Sequence, residues 1–175
     1  LVTANLISSG AYAIRSYGLA PEQVISDLGI LLQPDAPLMP GVHDELDLLI
    51  ICGGFRTPLR ASVLLNRVLG DCARRGIALG GLWNGAWFLG QAGLLDGYRC
   101  AVHPENRASL AEVSPQITVT PASQVIDRDR FTAASPNGGF SMMMALIRAQ
   151  RGDTLADGVE HILAFEGPVS YTHLR

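Results

Sequence analysis

The chain has 175 residues, of which 48% are hydrophobic and 17% are charged, and its formal net charge is −3. This length accommodates one domain with a substantial core, and the composition excludes a disordered or fibrous protein. The negative charge argues against nucleic-acid binding by this segment alone, and no apolar run approaches the roughly 20 residues that a membrane span needs.

The first half of the chain alternates strand-like and helix-like runs. The run LDLLIIC at 46–52 is apolar except for Asp47, a pattern that predicts a strand buried on both faces in a parallel sheet. Gly53 and Gly54 follow it, and helical spacing over 58–75 ends at Gly76. Shorter strands are predicted earlier, at 12–17 and 29–32.

The second half continues the alternation. A strand at 77–82 leads into a turn and then into a helix at 86–95. Further strands are predicted at 99–102, 117–120, 125–126 and 131–133, and further helices at 106–113, 140–150 and 155–164. This order predicts a doubly wound α/β fold, with a mostly parallel sheet sandwiched by helices and ligands bound at the carboxyl ends of the strands. We expect 46–52, 77–82 and 99–102 to share one sheet.

Three cysteines are present, and they form no CxxC pair. Their number and spacing indicate neither a disulfide framework nor a zinc site and favour a reducing cytoplasm. Cys52, at the end of a strand, is predicted to be a buried structural thiol, and Cys72 lies on the apolar face of a helix. Cys100 and His103 are three residues apart in an extended segment, so their side chains point to opposite faces. We expect no cysteine nucleophile, no metal site and no cofactor.

The turn GGLWNGAW at 80–87 has the strand–turn–helix context in which many α/β enzymes present a nucleophile. Here it carries Trp83 and Asn84, and neither side chain can attack a substrate. Trp83 is predicted to line a pocket, because this turn projects from the ligand-binding edge of the sheet. Trp87 is predicted to pack in the core, as aromatic residues on helix faces usually do.

Three blocks around this turn match one family in register: Gly85-Ala86, the run AGLLDG at 92–97, and His103-Pro104-Glu105. They resemble the amidase-like sensor domain of GlxA-type AraC-family transcriptional regulators, a branch of the PfpI/ThiJ superfamily. The resemblance covers most of the chain and implies a flavodoxin-like, class I glutamine amidotransferase-like fold.

The resemblance also exposes departures from the superfamily. It aligns the superfamily's catalytic cysteine with Trp83, the residue after that cysteine with Asn84, and the histidine that assists it with His103. It implies that the first strand and helix are missing and that a helix-turn-helix domain would follow. We therefore expect 1–165 to be an N-terminally truncated sensing domain and 166–175 a non-native or linker tail.

The candidate ligand-binding residues are Gly54, Phe55, Trp83, Asn84 and His103. The backbone N–H groups at Gly53-Gly54-Phe55 could receive a carboxylate, as an oxyanion hole does. His103 has two open roles, either a hydrogen bond to the ligand or a cap for the turn at Pro104. No catalytic residue is assigned.

These features predict a non-catalytic, cytoplasmic sensor that forms a homodimer and does not bind a membrane. The resemblance implies that its ligand is a small nitrogenous metabolite, such as an amino acid or a quaternary amine, and that it reaches DNA only through a missing C-terminal domain. Two alternatives stay open. One is a PfpI-type hydrolase or amidotransferase-like enzyme that uses Cys52 or a water activated by His103. The other is a structural dimerisation module with a filled pocket.

Overall fold

The computed structural model describes residues 1–19, 23–26, 28–54 and 58–163. The described residues divide into two compact units, one within residues 15–142 and the other formed by residues 1–14 and 143–163. The first of these contains the main sheet and the turn at Trp83. Phe55 and the expected tail at 166–175 lie outside the described residues.

The strands of the larger unit are, in chain order, β1 (Tyr17–Gly18), β2 (Val24–Ile25), β3 (Leu31–Leu32), β4 (Ala36–Pro37), β5 (Leu48–Cys52), β6 (Ala78–Leu82), β7 (Arg99–Cys100), β8 (Thr118–Val119), β9 (Gln124–Asp127) and β10 (Arg130–Ala133). Its helices include α2 (Val63–Arg74), α3 (Gly85–Gln91) and α4 (Arg107–Val113), and α5 (Pro136–Arg151) begins in it. The smaller unit contains α1 (Val2–Ile7) and α6 (Asp153–Ile162).

The main sheet has the strand order β5-β6-β10-β9. β6 pairs in parallel with both β5 and β10, whereas β9 forms an antiparallel hairpin with β10. The sheet is therefore mostly parallel, as predicted, and the carboxyl ends of β5, β6 and β10 meet at one edge.

One sheet assignment from the sequence is wrong. β5 and β6 share the main sheet, but β7 pairs in parallel with β8 in a separate two-stranded ladder. The residue after β7 is joined to the main sheet through a side chain of β10: the Ala101 N–H donates to Thr132 Oγ1 at 2.9 Å. The expectation of burial on both faces of β5 is also wrong, because β5 is an edge strand and only half-buried.

Helix α2 begins later than the predicted 58–75. Ser62 adopts extended backbone angles, and its hydroxyl accepts a hydrogen bond from the Leu65 N–H at 3.1 Å, which is the geometry of an N-cap. The end of the helix was predicted correctly: Gly76 has φ +73° and terminates it. The buried face of α2 contributes Leu65, Val68, Leu69 and Cys72 to the core.

The core of the larger unit lies around β6, α2 and α3. It consists of fully or nearly fully buried aliphatic and aromatic side chains, among them Leu69, Leu79, Trp87, Leu89 and Leu110. In the smaller unit α1 packs on α6, where Ile7 approaches Gly158. None of the helices in the described ranges has the length and apolar character that a membrane crossing requires.

Candidate functional site

The turn between β6 and α3 holds Trp83 in a left-handed backbone conformation, with φ +61°. This conformation is uncommon for any residue other than glycine and costs roughly 1–2 kcal/mol. Two hydrogen bonds fix the peptide groups on either side. The Trp83 N–H donates to the Ala133 carbonyl at the end of β10 (2.7 Å), and the Trp83 carbonyl accepts from the His103 N–H (3.0 Å). The turn predicted between a strand and a helix is thus present, with an indole at its apex.

The indole of Trp83 stacks on the imidazole of His103. The ring centroids are 4.9 Å apart and the planes differ by 7°, so the two rings are nearly parallel. Trp83 is half-buried, and the His103 side chain retains 18% exposure. Glu105 Oε2 lies 3.9 Å from His103 Nδ1 on the exposed side. The structure therefore brings Trp83 and His103 together, and His103 covers one face of the indole.

The side chain of Asn84 is buried and paired within the protein. It is 4% exposed, and its side-chain amide forms a closed pair with the Gly54 peptide. The Gly54 N–H donates to Asn84 Oδ1 at 3.1 Å, and Asn84 Nδ2 donates to the Gly54 carbonyl at 2.9 Å. The amide thus ties the loop after β5 to the turn after β6.

The predicted oxyanion-type donors are consequently occupied. The Gly53 N–H donates to the Leu82 carbonyl at 3.1 Å, and the Gly54 N–H is used by Asn84. The expectation that these two groups are open to a carboxylate is wrong, because both are already paired within the protein. Sequence reasoning missed the pair between Asn84 and Gly54, although two glycines at a strand end did indicate a close backbone approach there.

Glycines make this close approach possible. A Cβ on Gly53 would overlap the Asn84 side chain, and a Cβ on Gly85 would overlap the Ile51 carbonyl. Gly81 lies equally close to the backbone of Ala86. The turn, the start of α3 and the end of β5 are therefore packed backbone against backbone, which leaves no room for a side chain at these positions.

Trp87 belongs to the core, as predicted. It is 7% exposed, lies among the buried side chains of the larger unit and contacts Phe88 edge-on, with ring centroids 5.7 Å apart. Its indole N–H finds no acceptor among the residues that the structure describes. Trp87 is thus a packing residue, and it contrasts with the half-buried Trp83 four residues earlier.

The cysteines divide into two groups. Cys72 and Cys100 are buried, as predicted, and burial raises the pKa of both thiols, that of Cys100 to about 11. The prediction for Cys52 is wrong: this residue is exposed, because it lies at the end of an edge strand. Surrounding protein atoms nevertheless desolvate its sulfur and raise the pKa of the Cys52 thiol. The pKa of each of the three thiols is thus raised, which is the opposite of the shift that activates a cysteine nucleophile.

In the described parts of the chain, no group of three His, Cys, Asp or Glu side chains could hold a metal ion. What the structure does assemble, at the carboxyl edge of β5, β6 and β10, is a rigid turn that presents an aromatic pair. Such a surface can bind an apolar or cationic group by stacking, and it lacks a side chain at the apex that could form a covalent bond.

Comparison with known proteins identifies the family. The DJ-1/PfpI family model matches residues 1–149. A solved structure of an AraC family transcriptional regulator from Pseudomonas putida is 54% identical, with a TM-score of 0.88, and the match covers 93% of this chain and 86% of that chain. The predicted fold class is therefore confirmed.

Two curated relatives are also transcriptional regulators. The HTH-type transcriptional regulator GbdR of Pseudomonas aeruginosa is 34% identical over 159 residues, which cover 89% of this chain and 42% of GbdR. The HTH-type transcriptional regulator GlxA of Rhizobium meliloti is 30% identical over 107 residues, or 61% of this chain and 33% of GlxA. The chain thus spans less than half the length of these relatives. It belongs to the DJ-1/PfpI family, in the branch that occurs in AraC-family transcriptional regulators.

Proposed function

We propose that this chain is the non-catalytic, small-metabolite-sensing domain of a cytoplasmic AraC-family transcriptional regulator. It controls transcription through a helix-turn-helix domain that lies outside this chain and makes the contacts to DNA. The observation that carries the proposal is Trp83: at the turn where an α/β enzyme presents its nucleophile, the side chain is an indole stacked on His103.

The aromatic pair favours a ligand with a positively charged or apolar group. Among aromatic rings, an indole attracts a cation over its face most strongly, and such a contact contributes about 0.5–2 kcal/mol. His103 already covers one face of Trp83, so the ligand binds the other face or the ring edge. We therefore propose a small nitrogenous metabolite, either an amino acid or a quaternary amine, and no metal or cofactor.

Within this site the five candidate residues take different roles. Trp83 contacts the ligand, and His103 positions the indole and adds its polar edge. Asn84 and Gly54 act indirectly, because their amide pair fixes the loop beside the turn. Phe55 follows Gly54 in the sequence and lies outside the described residues.

One observation favours the alternative of a PfpI-type enzyme. Cys52 is exposed, and its register partner in β6 is Leu82, which directly precedes the turn. The raised pKa of the Cys52 thiol argues against it as a nucleophile, because the thiolate is the reactive form. Without an activated thiol, the enzyme alternative depends on a water activated by His103, and the sensor remains the better explanation.

The test is calorimetric titration of the chain with tetramethylammonium and with the standard L-amino acids. We expect at least one of these probes to bind, and we expect Trp83→Ala to weaken that binding by about tenfold to a hundredfold, the loss of one cation–indole contact and its buried surface. Trp83→Ala should cost less than the ~3–5 kcal/mol of unfolding free energy typical of a buried Trp, because Trp83 is only half-buried.

Trp87→Phe is the matched control. It removes the chain's other indole from the core, where the N–H has no acceptor, and it should leave probe affinity unchanged. If Trp83→Ala keeps full affinity but loses as much stability as a core Trp variant, then Trp83 is a packing residue and the proposed site is wrong. The filled-pocket alternative predicts that no probe binds at all.

A further inference from the structure

Arg107 is half-buried, and it forms no ion pair with any residue that the structure describes. Its Nη2 donates to the Pro121 carbonyl at 3.2 Å, and its Nε is buried without an acceptor in the described part of the chain. The other described arginines that are not exposed, Arg130 and Arg148, are both paired with carboxylates. Arg107 therefore differs from them in holding a half-buried positive charge without a counter-charge.

Two features of this side chain are unfavourable for folding. Arg107 is the first residue of α4, where a positive charge opposes the helix dipole. A buried N–H group without an acceptor, such as Nε, also loses its hydration with no compensating hydrogen bond. A native protein retains such groups at few positions, and each requires an explanation. Binding of an anion by the guanidinium would explain both features.

The backbone of Arg107 lies close to the aromatic pair. His103 stacks on Trp83, and a single 3₁₀ turn, Pro104–Asn106, leads from His103 to Arg107. This turn is closed by the hydrogen bond from the Asn106 N–H to the His103 carbonyl at 2.8 Å. A 3₁₀ helix advances about 2 Å per residue, so the backbone of Arg107 begins roughly 8 Å along the turn from that of His103. That separation is within the reach of a long side chain.

The guanidinium end of Arg107 is anchored on the opposite side of the same turn. Pro121, whose carbonyl accepts from Nη2, lies in the loop between β8 and β9. This loop is bonded to the end of β10, because the Ser123 carbonyl accepts from the Ala134 N–H at 2.8 Å. The end of β10 in turn holds the Trp83 N–H. Arg107 thus spans the two segments that fix the peptide groups of Trp83.

We propose that Arg107 binds the carboxylate of the ligand whose cationic group stacks on Trp83. The ligand is then a zwitterion, and an amine without an acid group lacks one of the two contacts. A guanidinium receives a carboxylate with two parallel N–H groups. Nη1 has no acceptor among the described residues, and Nη2 keeps a second N–H beside it. This inference rests on the proposed metabolite site and names the chemical class of its ligand.

The test is calorimetric titration with pairs of probes that differ by one negative charge. Each standard L-amino acid, and N,N,N-trimethylglycine, is compared with its own carboxamide, in which the α-carboxylate is replaced while the cation and the shape are kept. We expect at least one acid to bind about tenfold to a hundredfold more tightly than its carboxamide, as a charge-assisted pair with an arginine implies.

Arg107→Gln removes the guanidinium and should abolish this preference. It should lower the affinity for the acid to that for the carboxamide, and it should leave the carboxamide affinity unchanged because the cationic group still contacts Trp83. Arg107→Lys keeps the charge without the two parallel donors and should retain part of the preference. Arg67→Gln is the matched control, because it removes an exposed arginine from α2, and it should change neither affinity. Urea denaturation verifies that each variant is folded.

The possible results separate this inference from the proposed function. Equal affinities of every acid and its carboxamide, or binding of tetramethylammonium alone, would overturn the role of Arg107 and leave the site at Trp83 standing. A preference for the acid that survives in folded Arg107→Gln would assign the carboxylate to another group and overturn the same role. Binding of none of the probes would overturn the proposed function together with this inference. The comparison of acid with carboxamide in the wild type needs no variant, so it decides the matter even if Arg107→Gln does not fold.

Discussion

Trp83 combines the bulkiest side chain with a backbone conformation that glycine adopts most easily. The left-handed angles are held from two sides, by the Ala133 carbonyl and the His103 N–H, so the fold imposes them whatever side chain is present. The side chain at the apex then decides what this backbone geometry is used for. With an indole at the apex, the turn presents a stacking surface and no nucleophilic side chain.

The cysteines provide a direct test of the enzyme alternative. We expect iodoacetamide to label Cys52 alone in the folded chain, because Cys72 and Cys100 are both 0% exposed. Labelling of Cys52 should be slow at pH 7.5 and should still accelerate above pH 9, because its raised pKa keeps the thiol protonated at neutral pH. Peptide mass spectrometry over a time course measures each site separately.

Two controls make the labelling informative. In urea all three thiols should react, and Cys52→Ser should remove the native-state signal. Rapid labelling of Cys52 at pH 7.5, at the rate of an activated thiolate, would contradict the assignment of Cys52 as an unreactive residue and would revive the enzyme alternative.

At the scale of elements, the junction of β5, β6 and α3 depends on glycine. A Cβ on Gly85 would overlap the Ile51 carbonyl, which belongs to a strand backbone and cannot move without breaking the sheet. We therefore expect Gly85→Ala to lower the unfolding free energy by about 1–3 kcal/mol, the usual cost of overpacking, and to disturb the turn that follows β6. Urea denaturation measures the change.

Gly70→Ala is the matched substitution in the same unit. Gly70 lies inside α2, and the nearest atom to a new Cβ is the flexible Arg74 guanidinium at 3.4 Å. Replacing a glycine in a helix interior should raise stability by about 0.5–1 kcal/mol. If both variants change the unfolding free energy by the same amount in the same direction, then Gly85 is not closely packed against Ile51.

The alternation of strands and helices was predictable because buried strands and amphipathic helices leave strong periodic patterns. The order from β5 to α3 follows from apolar runs bounded by glycine, and the strained turn follows from its position between them. The sequence pattern does not determine which strands pair. Arg99–Cys100 reads as another strand of the main sheet, but β10 occupies the place beside β6, and that pairing depends on contacts distant in sequence.

The candidate site was likewise predictable only in part. The strand–turn–helix context identifies Trp83 and His103 as site residues, but their parallel stacking requires the segment after β7 to return to the turn, which no local pattern encodes. Asn84 is adjacent to Trp83 in sequence, yet its amide points to Gly54, thirty positions earlier. Burial of Cys52 was inferred from its apolar neighbours, and the position of β5 at the sheet edge exposes it.

At the scale of the whole molecule, stability is distributed unevenly. β6 is bonded on both sides, by β5 and β10, and its three central residues are buried. The ladders β1–β4 and β2–β3 have two residues in each strand and little or no buried surface. Amides of β6 exchange with solvent only when the domain unfolds, whereas amides of the two short ladders exchange through local opening.

We therefore expect the rates of native-state hydrogen exchange to rank these elements by their local stability. Peptides that contain β6 should exchange slowest, with an opening free energy close to that from urea denaturation, and peptides that contain β2 and β3 should exchange fastest. Mass spectrometry gives both results from one set of peptides. Slow exchange of β2 and β3 would mean that other residues cover this ladder, and exchange of β6 as fast as that of β2 and β3 would mean that the main sheet is not the stable centre of the fold.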